Sequence, residues 1–320
     1  MTPEDSAAGY RLTGALAAAA AAVLFACKGI IAKFAYARGI PFETLSIVRA
    51  LLAVPLFWGF AFTHEPAREV LATPWRPAAA AAFAGFICYY AGTLIDFYAL
   101  TLIDASIERV LIFSYPAMVV AASAALRREW PPVRVVIAVG LTWIGIFLAV
   151  GGFDAAALSA NLVGAACVLA AALSYAIYFM IGERCTRQIG ASRFTLYAMS
   201  AAAAALLVHG ILRRPQLALA QVDATGWWLL ALLAVFCMFV PALLQAEGVR
   251  RIGAQRGALV STAGPPATIL LAWLVLGERL APLQLAGVGL IVGGILVLDV
   301  ARLRRRGPPA GAQPPASAAD

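Results

Sequence analysis

Long apolar runs, separated by short polar breaks, constrain this chain more than any other feature. A helix that crosses about 30 Å of hydrocarbon needs roughly 20 residues, and apolar runs of that length recur along most of the sequence. Only 12% of the residues are charged and 63% are hydrophobic, whereas soluble domains have about 25% charged and about 45–50% apolar residues. So few charges cannot cover the surface of a large soluble core. The composition therefore predicts an all-α membrane protein.

Ten segments have the length and hydropathy of a membrane-spanning helix. They cover residues 12–37, 43–62, 77–100, 104–126, 133–152, 159–182, 193–212, 225–248, 254–276 and 281–302. The first run is longer than the 7–15 apolar residues of a signal peptide, so we expect it to be retained as a span. The tail over 304–320 is rich in Pro, Ala and Gly and is expected to be disordered.

The distribution of Lys and Arg predicts the orientation, because cytoplasmic loops carry an excess of these residues. With ten spans, 16 of them lie near span ends on the side of the N-terminus and about five on the other side. Both termini and the tail are therefore predicted to be cytoplasmic. The net charge of +8 is interpreted as this topology signal, and we expect no nucleic-acid partner.

An internal repeat divides the chain. Offsetting residues 103–149 by 149 positions aligns them with 252–298, with nine identities in 47 positions. Pro116 then matches Pro265, and Glu129 matches Glu278. The halves, 1–153 and 154–303, would each contain five spans, and because five is odd the second half would insert upside down. Inverted repeats are typical of transporters with a substrate site near the midplane.

The prolines inside these apolar runs have two interpretations. A proline within a helix removes a hydrogen bond and bends the chain, and the freed backbone groups must be satisfied by protein or by a wet cavity. Pro116 and Pro265-Pro266 would then mark paired bends beside a central cavity. Alternatively, they reflect only the higher frequency of proline in membrane helices.

Charged residues inside the predicted spans are candidates for a functional site, since each costs about 2.5–3.5 kcal/mol at the centre of a membrane helix. Lys28 is expected to pair with Asp96 or Glu108. Arg49 would bind substrate or form a structural ion pair with Glu43 or Asp96. In the same region, Lys33 and Arg109 are expected to extend to the interface, and Asp104 to cap the fourth span.

Polar and aromatic residues complete the candidate site. Tyr89 shares a helical face with Asp96, and Tyr115 shares one with Glu108. The repeat places Gln245 opposite Asp96 and Tyr178 near the counterpart of Lys28. The predicted substrate-binding residues are Lys28, Arg49, Tyr89, Asp96, Glu108, Tyr115, Tyr175, Tyr178 and Gln245. Asp96, Glu108 and Glu247 are the candidates for proton coupling, and the tyrosines have packing as their alternative role.

The segment "AQRGALVSTAGPPATILLAWLVLGERLAP" (254–282) and its first copy, "ASIERVLIFSYPAMVVAASAALRREWPP" (105–132), resemble the EamA-type members of the drug/metabolite transporter superfamily. In the first copy Arg127-Arg128 replace the usual Leu-Gly before the Glu. The resemblance implies ten helices in a bacterial inner membrane and transport of small metabolites, with export slightly favoured. It does not imply a substrate.

These features together predict a secondary-active transporter, working by alternating access, for a small polar or amphipathic metabolite such as an amino acid or a related compound. An exchanger of phosphorylated or other anionic metabolites, with Lys28, Lys33 and Arg49 as clamps, is the alternative, and a channel or an intramembrane enzyme fits the pattern less well. No Walker A motif is present, which argues against ATP as a driving force.

The five isolated cysteines lack the spacing of a metal site, so no cofactor or metal is expected. The expected partners are the lipid bilayer, a small-molecule substrate and either a proton or a counter-substrate, with the chain a monomer or homodimer.

Overall fold

The computed structural model describes residues 3–128, 133–150, 152–213, 219–244 and 264–305. Within these ranges the chain is helical and contains no strand, which confirms the all-α prediction. In the described part of the chain, six segments have the length and hydropathy to cross a membrane. They are Leu12–Ala37, Phe42–His64, Trp75–Leu102, Ala155–Thr186, Ser192–Leu212 and Ala224–Leu244. Three further apolar helices, Val136–Val150, Gly264–Leu276 and Pro282–Gly294, are shorter than a full span. The count of ten spans therefore stays a prediction.

Twelve α-helices lie in the described ranges. Their bounds are α1 Pro3–Ala37, α2 Phe42–His64, α3 Ala67–Leu71, α4 Trp75–Gly85, α5 Thr93–Leu102, α6 Ala105–Ile112, α7 Tyr115–Arg127, α8 Val133–Val150, α9 Ala155–Leu212, α10 Ala224–Ala234, α11 Gly264–Leu276 and α12 Pro282–Arg305. A π-helical segment, Phe86–Gly92, joins α4 to α5, and a second, Val235–Phe239, follows α10. Helix α9 is broken at Gly190 (φ 80°, ψ 160°), so we treat it as two arms, 155–189 and 191–212.

The predicted fourth span is not continuous. It consists of α6 and α7, separated by a turn at Phe113-Ser114. Pro116 is the second residue of α7, and Pro265-Pro266 follow the first residue of α11. Proline is favoured in the first turn of a helix, where no backbone donor is lost. Pro116 therefore lies where a helix begins. The residues just before Gly264 lie outside the described ranges, so the bend at Pro265-Pro266 stays a prediction.

The element boundaries repeat with the 149-residue offset found in the sequence. Helix α10 begins at Ala224, 149 residues after α4 begins at Trp75. The two π-helical segments begin at Phe86 and Val235, which have the same spacing. Sequence analysis did not predict these π-helical segments. Their recurrence at equivalent positions shows that the two halves share local backbone geometry as well as sequence.

Helices α8 and α12 pack against each other symmetrically through small residues. An added Cβ on Gly145 would lie 2.6 Å from the carbonyl oxygen of Gly287, and one on Gly294 would lie 2.7 Å from that of Ala138. Gly287 and Gly294 are the repeat equivalents of Ala138 and Gly145, so exchanging the halves maps one contact onto the other. Because the first contact joins the later residue of α8 to the earlier residue of α12, the two equivalent helices run antiparallel.

Helix α2 and the second arm of α9 are also repeat equivalents, and polar contacts join them along their length. Glu43 at the start of α2 accepts from Arg213 beyond the end of α9, at 3.4 Å. At the other end Arg193 contacts Glu65 at 2.5 Å and Glu69 at 3.0 Å. This pair is antiparallel too, which is the arrangement that an inverted repeat requires.

The two halves also end their proline-containing helices in the same way. Arg128 follows α7 with φ 54°, and its repeat equivalent Gly277 follows α11 with φ 70°. The left-handed region is the usual C-terminal stop of a helix and favours glycine. Arg128, at the position equivalent to Gly277, therefore adopts a conformation that an L-residue with a side chain disfavours.

We expect Arg128→Gly to increase the free energy of unfolding by about 0.5–1 kcal/mol, because it removes backbone strain at the end of α7. The matched variant is Gly277→Ala, which should destabilise by about 1 kcal/mol. No heavy atom lies within 4 Å of a Cβ added at Gly277, so the change tests the backbone alone. Thermal unfolding of the purified proteins in detergent measures both, and equal midpoints for all three proteins would contradict this account.

Candidate functional site

An ammonium group held between two carboxylates forms the centre of the site. Lys28 on α1 donates to Oδ2 of Asp96 on α5 at 2.5 Å and to Oε1 of Glu108 on α6 at 3.0 Å. All three are buried, with residue exposures of 7%, 2% and 1%. The predicted pairing of Lys28 is thus confirmed, and it involves both candidate partners. Buried charges are stable only when paired in this way.

Close helix contacts bring these three residues together. A Cβ added to Gly29 would lie 3.0 Å from Cβ of Ala105 and 3.7 Å from Glu108 Oε2. Glycine beside Lys28 therefore lets α1 approach α6. On the other side, a Cβ on Gly92 would collide with the side chain of Ser174, so the first arm of α9 lies directly against the end of the π-helical segment.

Arg49 lies beside this ion-paired group without a carboxylate of its own. Its guanidinium carbon is 4.8 Å from the centroid of the Phe97 ring, the residue is 6% exposed, and its buried Nε lacks a hydrogen-bond partner. Within the described ranges it forms no ion pair. The predicted structural pair with Glu43 or Asp96 is therefore wrong, since Glu43 pairs with Arg213 instead.

Arg109, predicted to extend to the membrane interface, is half-buried, and its guanidinium lies against an aromatic ring. Its Nε is buried without a partner in the described part of the chain, and its guanidinium carbon lies 5.0 Å from the Phe113 ring centroid. A Cβ on Gly264 would be 3.1 Å from its Nη2. Lys33, which was also expected to extend to the interface, donates to the carbonyl of Ile103 beyond the end of α5, at 2.6 Å.

Aromatic side chains from both halves adjoin the charges. Tyr89 contacts Tyr178, with ring centroids 5.1 Å apart, and Tyr175 at 6.4 Å. Tyr115 lies 6.3 Å from Tyr175 and stacks on Phe179 at 5.0 Å. Tyr175 is within electrostatic reach of Lys28, Arg49 and Arg109. The second half therefore contributes phenol groups to a cluster whose charges, among the described residues, come from the first half.

Sequence reasoning missed Tyr36, which donates to the carbonyl of Phe97 at 2.8 Å and is within electrostatic reach of Asp96 and Glu108. Its spacing of eight residues from Lys28, about two helical turns on the same face, was the available signal. Two predicted residues, Gln245 and Glu247, lie outside the described residues. Among the described side chains, no group of three His, Cys, Asp or Glu could hold a metal ion.

Glu278 was predicted only as part of the repeated motif, but it joins the halves. Its carboxylate accepts hydrogen bonds from the backbone amides of Ala105 at 2.9 Å and Ser106 at 3.0 Å, and from the Ser106 hydroxyl at 2.7 Å. It therefore caps the N-terminus of α6, one turn before Glu108. Asp104 occupies the N-cap position, but its side chain makes no cap hydrogen bond, so its predicted capping role is wrong.

Comparison with known proteins gives a consistent result. The model of the EamA-like transporter family matches residues 12–151 and 162–299. "Uncharacterized transporter YcbK" of Bacillus subtilis is 34% identical over 88% of this chain and 91% of the relative. "Uncharacterized transporter sll1319" of Synechocystis is 23% identical over 90% of the chain and 93% of its own. A solved protein structure aligns with a TM-score of 0.62 and 18% identity, covering 92% of this chain and 99% of the other, which indicates the same fold.

Replacing Lys28 tests the ion-paired cluster. Lys28→Met leaves two buried carboxylates without their cation, and breaking a buried pair in this way costs about 3–5 kcal/mol. Adding Asp96→Asn and Glu108→Gln removes the uncompensated charge and should restore most of the lost stability. Thermal unfolding in detergent is the measurement. A single variant as stable as the wild type, or a triple variant no better than the single one, would show that the three charges do not stabilise one another.

Replacing Glu278 tests the link between the halves. Glu278→Gln removes a carboxylate that accepts three hydrogen bonds at a helix N-terminus, and we expect a loss of about 1–2 kcal/mol. Asp104→Asn is the matched control, because the same charge is removed at a neighbouring position without a cap hydrogen bond. Its unfolding midpoint should stay at or above the wild-type value. A larger loss for the Asp104 variant than for the Glu278 variant would reverse the assignment.

Proposed function

The chain belongs to the EamA-like transporter family, and on that premise we propose that it is a secondary-active transporter of a small polar or amphipathic metabolite. Amino acids and related compounds are the substrate group proposed, and export is the direction proposed. The supporting observation is the buried cluster around Lys28, Asp96 and Glu108. Ionisable residues inside membrane segments mark substrate and ion pathways.

The cluster lies where a substrate could be enclosed between the two halves. Its charges belong to α1, α2, α5 and α6, whereas Tyr175 and Tyr178 belong to α9 in the second half. In transporters with inverted repeats the substrate binds at the interface of the halves. We propose that Lys28, Arg49, Tyr89, Tyr115 and the two tyrosines of α9 line this site, together with Gln245.

Alternating access is the proposed mechanism, with one half moving against the other around the cluster. Contacts between the halves lie on both sides of it. Glu278 joins α6 on one side, and Arg193 joins Glu65 on the other. The Arg193–Glu65 ion pair is partly exposed, and such pairs contribute little stability. It can therefore break and re-form during a transport cycle.

A proton is the proposed coupling ion. Asp96 and Glu108 share a single ammonium, and two nearby carboxylates repel each other unless a cation or a proton compensates one of them. When substrate binding displaces Lys28 from one carboxylate, a proton can replace it there. Glu247 is the third candidate for this role.

One observation favours the second candidate function, transport of phosphorylated or other anionic metabolites. Arg49 is buried and Arg109 is half-buried with a buried Nε, and neither forms an ion pair within the described ranges. A site with uncompensated guanidinium groups favours an anion. Phosphate would then compete for transport, whereas a carrier of neutral zwitterions would be insensitive to it.

A transport assay tests the proposed function. We expect overexpression to change the amount of one compound in the medium relative to the cell extract, and Lys28→Ala to abolish the change. The triple variant with Lys28→Met, Asp96→Asn and Glu108→Gln should be stable but inactive, which separates loss of transport from loss of folding. Arg68→Ala, at an exposed position of α3, is the control. Correctly inserted Lys28→Ala protein that moves the same compound at the same rate would refute the assigned site.

Orientation in a bacterial inner membrane, with both termini in the cytoplasm, is tested by cysteine labelling. In a background without native cysteines, Arg279→Cys should react with a membrane-impermeant reagent in intact cells. Arg68→Cys should react only after permeabilisation. Both positions are exposed. Equal labelling of the two in intact cells would contradict the inverted topology.

A further inference from the structure

The described charges of the site do not balance. Three cations, Lys28, Arg49 and Arg109, face two carboxylates, Asp96 and Glu108, and Lys28 engages both carboxylates. The two arginines instead lie over aromatic rings, at 4.8 and 5.0 Å from the centroids of Phe97 and Phe113. A cation–π contact offsets only part of the cost of burying a charge. Counted over the described residues, the site has one excess positive charge.

The unpartnered atoms define what could fill the site. Arg49 Nε and Arg109 Nε are donors, and Asp96 Oδ1 is an acceptor, and all three are buried without a hydrogen-bond partner in the described structure. Buried polar atoms are nearly always satisfied. The donor of Arg49 and the acceptor of Asp96 belong to one cluster around Lys28 and Phe97, so these two atoms point to a missing polar group. That group must supply an acceptor to a guanidinium and a donor to a carboxylate.

The charge of the missing group follows from the low dielectric of the site. A monoanion would neutralise the excess charge, whereas a zwitterion would leave it in place and a cation would double it. Opposite charges attract far more strongly in such an environment than in water. The neighbouring rings of Tyr89 and Tyr175 provide apolar faces for the remainder of the molecule.

On the basis of the proposed function, we propose that the substrate is a small carboxylate with one net negative charge, a neutral hydrogen-bond donor beside the carboxylate, and a flat apolar body. The carboxylate is bound by Arg49, and the donor contacts Asp96. Lys28 then keeps the two acidic residues in place and does not serve as the anion-binding group. Among compounds related to amino acids, this describes the 2-hydroxy acids and N-acyl derivatives rather than the amino acids themselves.

A series of ligands with one body and different charges tests this proposal. The probes are 3-phenyllactate, a monoanion, phenylalanine, a zwitterion, phenylalaninamide, a monocation, and phenylsuccinate, a dianion. Binding is measured as the ligand-dependent shift of thermal unfolding of purified wild-type protein. Because 3-phenyllactate brings one net negative charge to a site with one excess positive charge, whereas phenylalanine brings none and phenylalaninamide adds a positive one, 3-phenyllactate should bind roughly tenfold more tightly than either.

Variants of the arginine identify the residue responsible. Arg49→Gln should lose the preference for 3-phenyllactate, whereas its unfolding midpoint without ligand should equal or exceed that of wild type, because an uncompensated buried charge is removed. Arg49→Lys keeps the charge and should retain part of the preference. Arg68→Gln, an exposed arginine on α3, should behave as wild type.

Several results would overturn the proposal. They are equal shifts across the series, a preference for the cation or the zwitterion, no shift with any probe up to its solubility limit, or unchanged binding of 3-phenyllactate by Arg49→Gln. Binding does not require transport, so these outcomes are distinguishable from a failure of the proposed function. That failure would appear as normal charge selectivity in a protein that moves no compound across a membrane.

Discussion

The bilayer imposes the constraint on which this structure depends, because charged groups in its interior must find their partners within the protein. Lys28 meets this requirement by bridging Asp96 and Glu108, which ties α1, α5 and α6 into one unit. The same requirement explains why Lys33 and Glu278 bond to backbone groups at helix ends. It is not met at Arg49 and Arg109, which form no ion pair within the described residues.

Small residues and the repeat determine how this unit meets the second half. Gly29 lets α1 approach α6, and Gly92 lets the first arm of α9 reach the π-helical segment. Tyr175 then lies within electrostatic reach of the charges of the first half. Packing in a membrane relies on such close approaches, since there is little hydrophobic force between helices in lipid. Helices α8 and α12, which belong to different halves, also approach each other closely through glycines, at two symmetric contacts.

Stability and function make opposite demands at this site. A fully balanced cluster would be more stable, but it would give a substrate no electrostatic reason to bind. The buried guanidinium of Arg49, with an unpartnered Nε, is costly in the empty protein, and a bound anion would offset that cost. The strained Arg128 at the end of α7 has no such compensation in the described structure, and nothing in the structure explains why glycine is absent there.

The sequence by itself determined the helical membrane class, the 149-residue repeat and the pairing of Lys28, because length, hydropathy and the cost of an isolated charge can be read from residues alone. It could not determine the two π-helical segments, the break within the predicted fourth span or the cap that Glu278 gives to α6. Likewise, Glu43 was a plausible partner for Arg49, yet it pairs with Arg213. These features depend on which helices become neighbours, and a pattern in one helix does not specify the groups that another helix brings to it. Only the tertiary structure decided which charges are paired with one another and which are not.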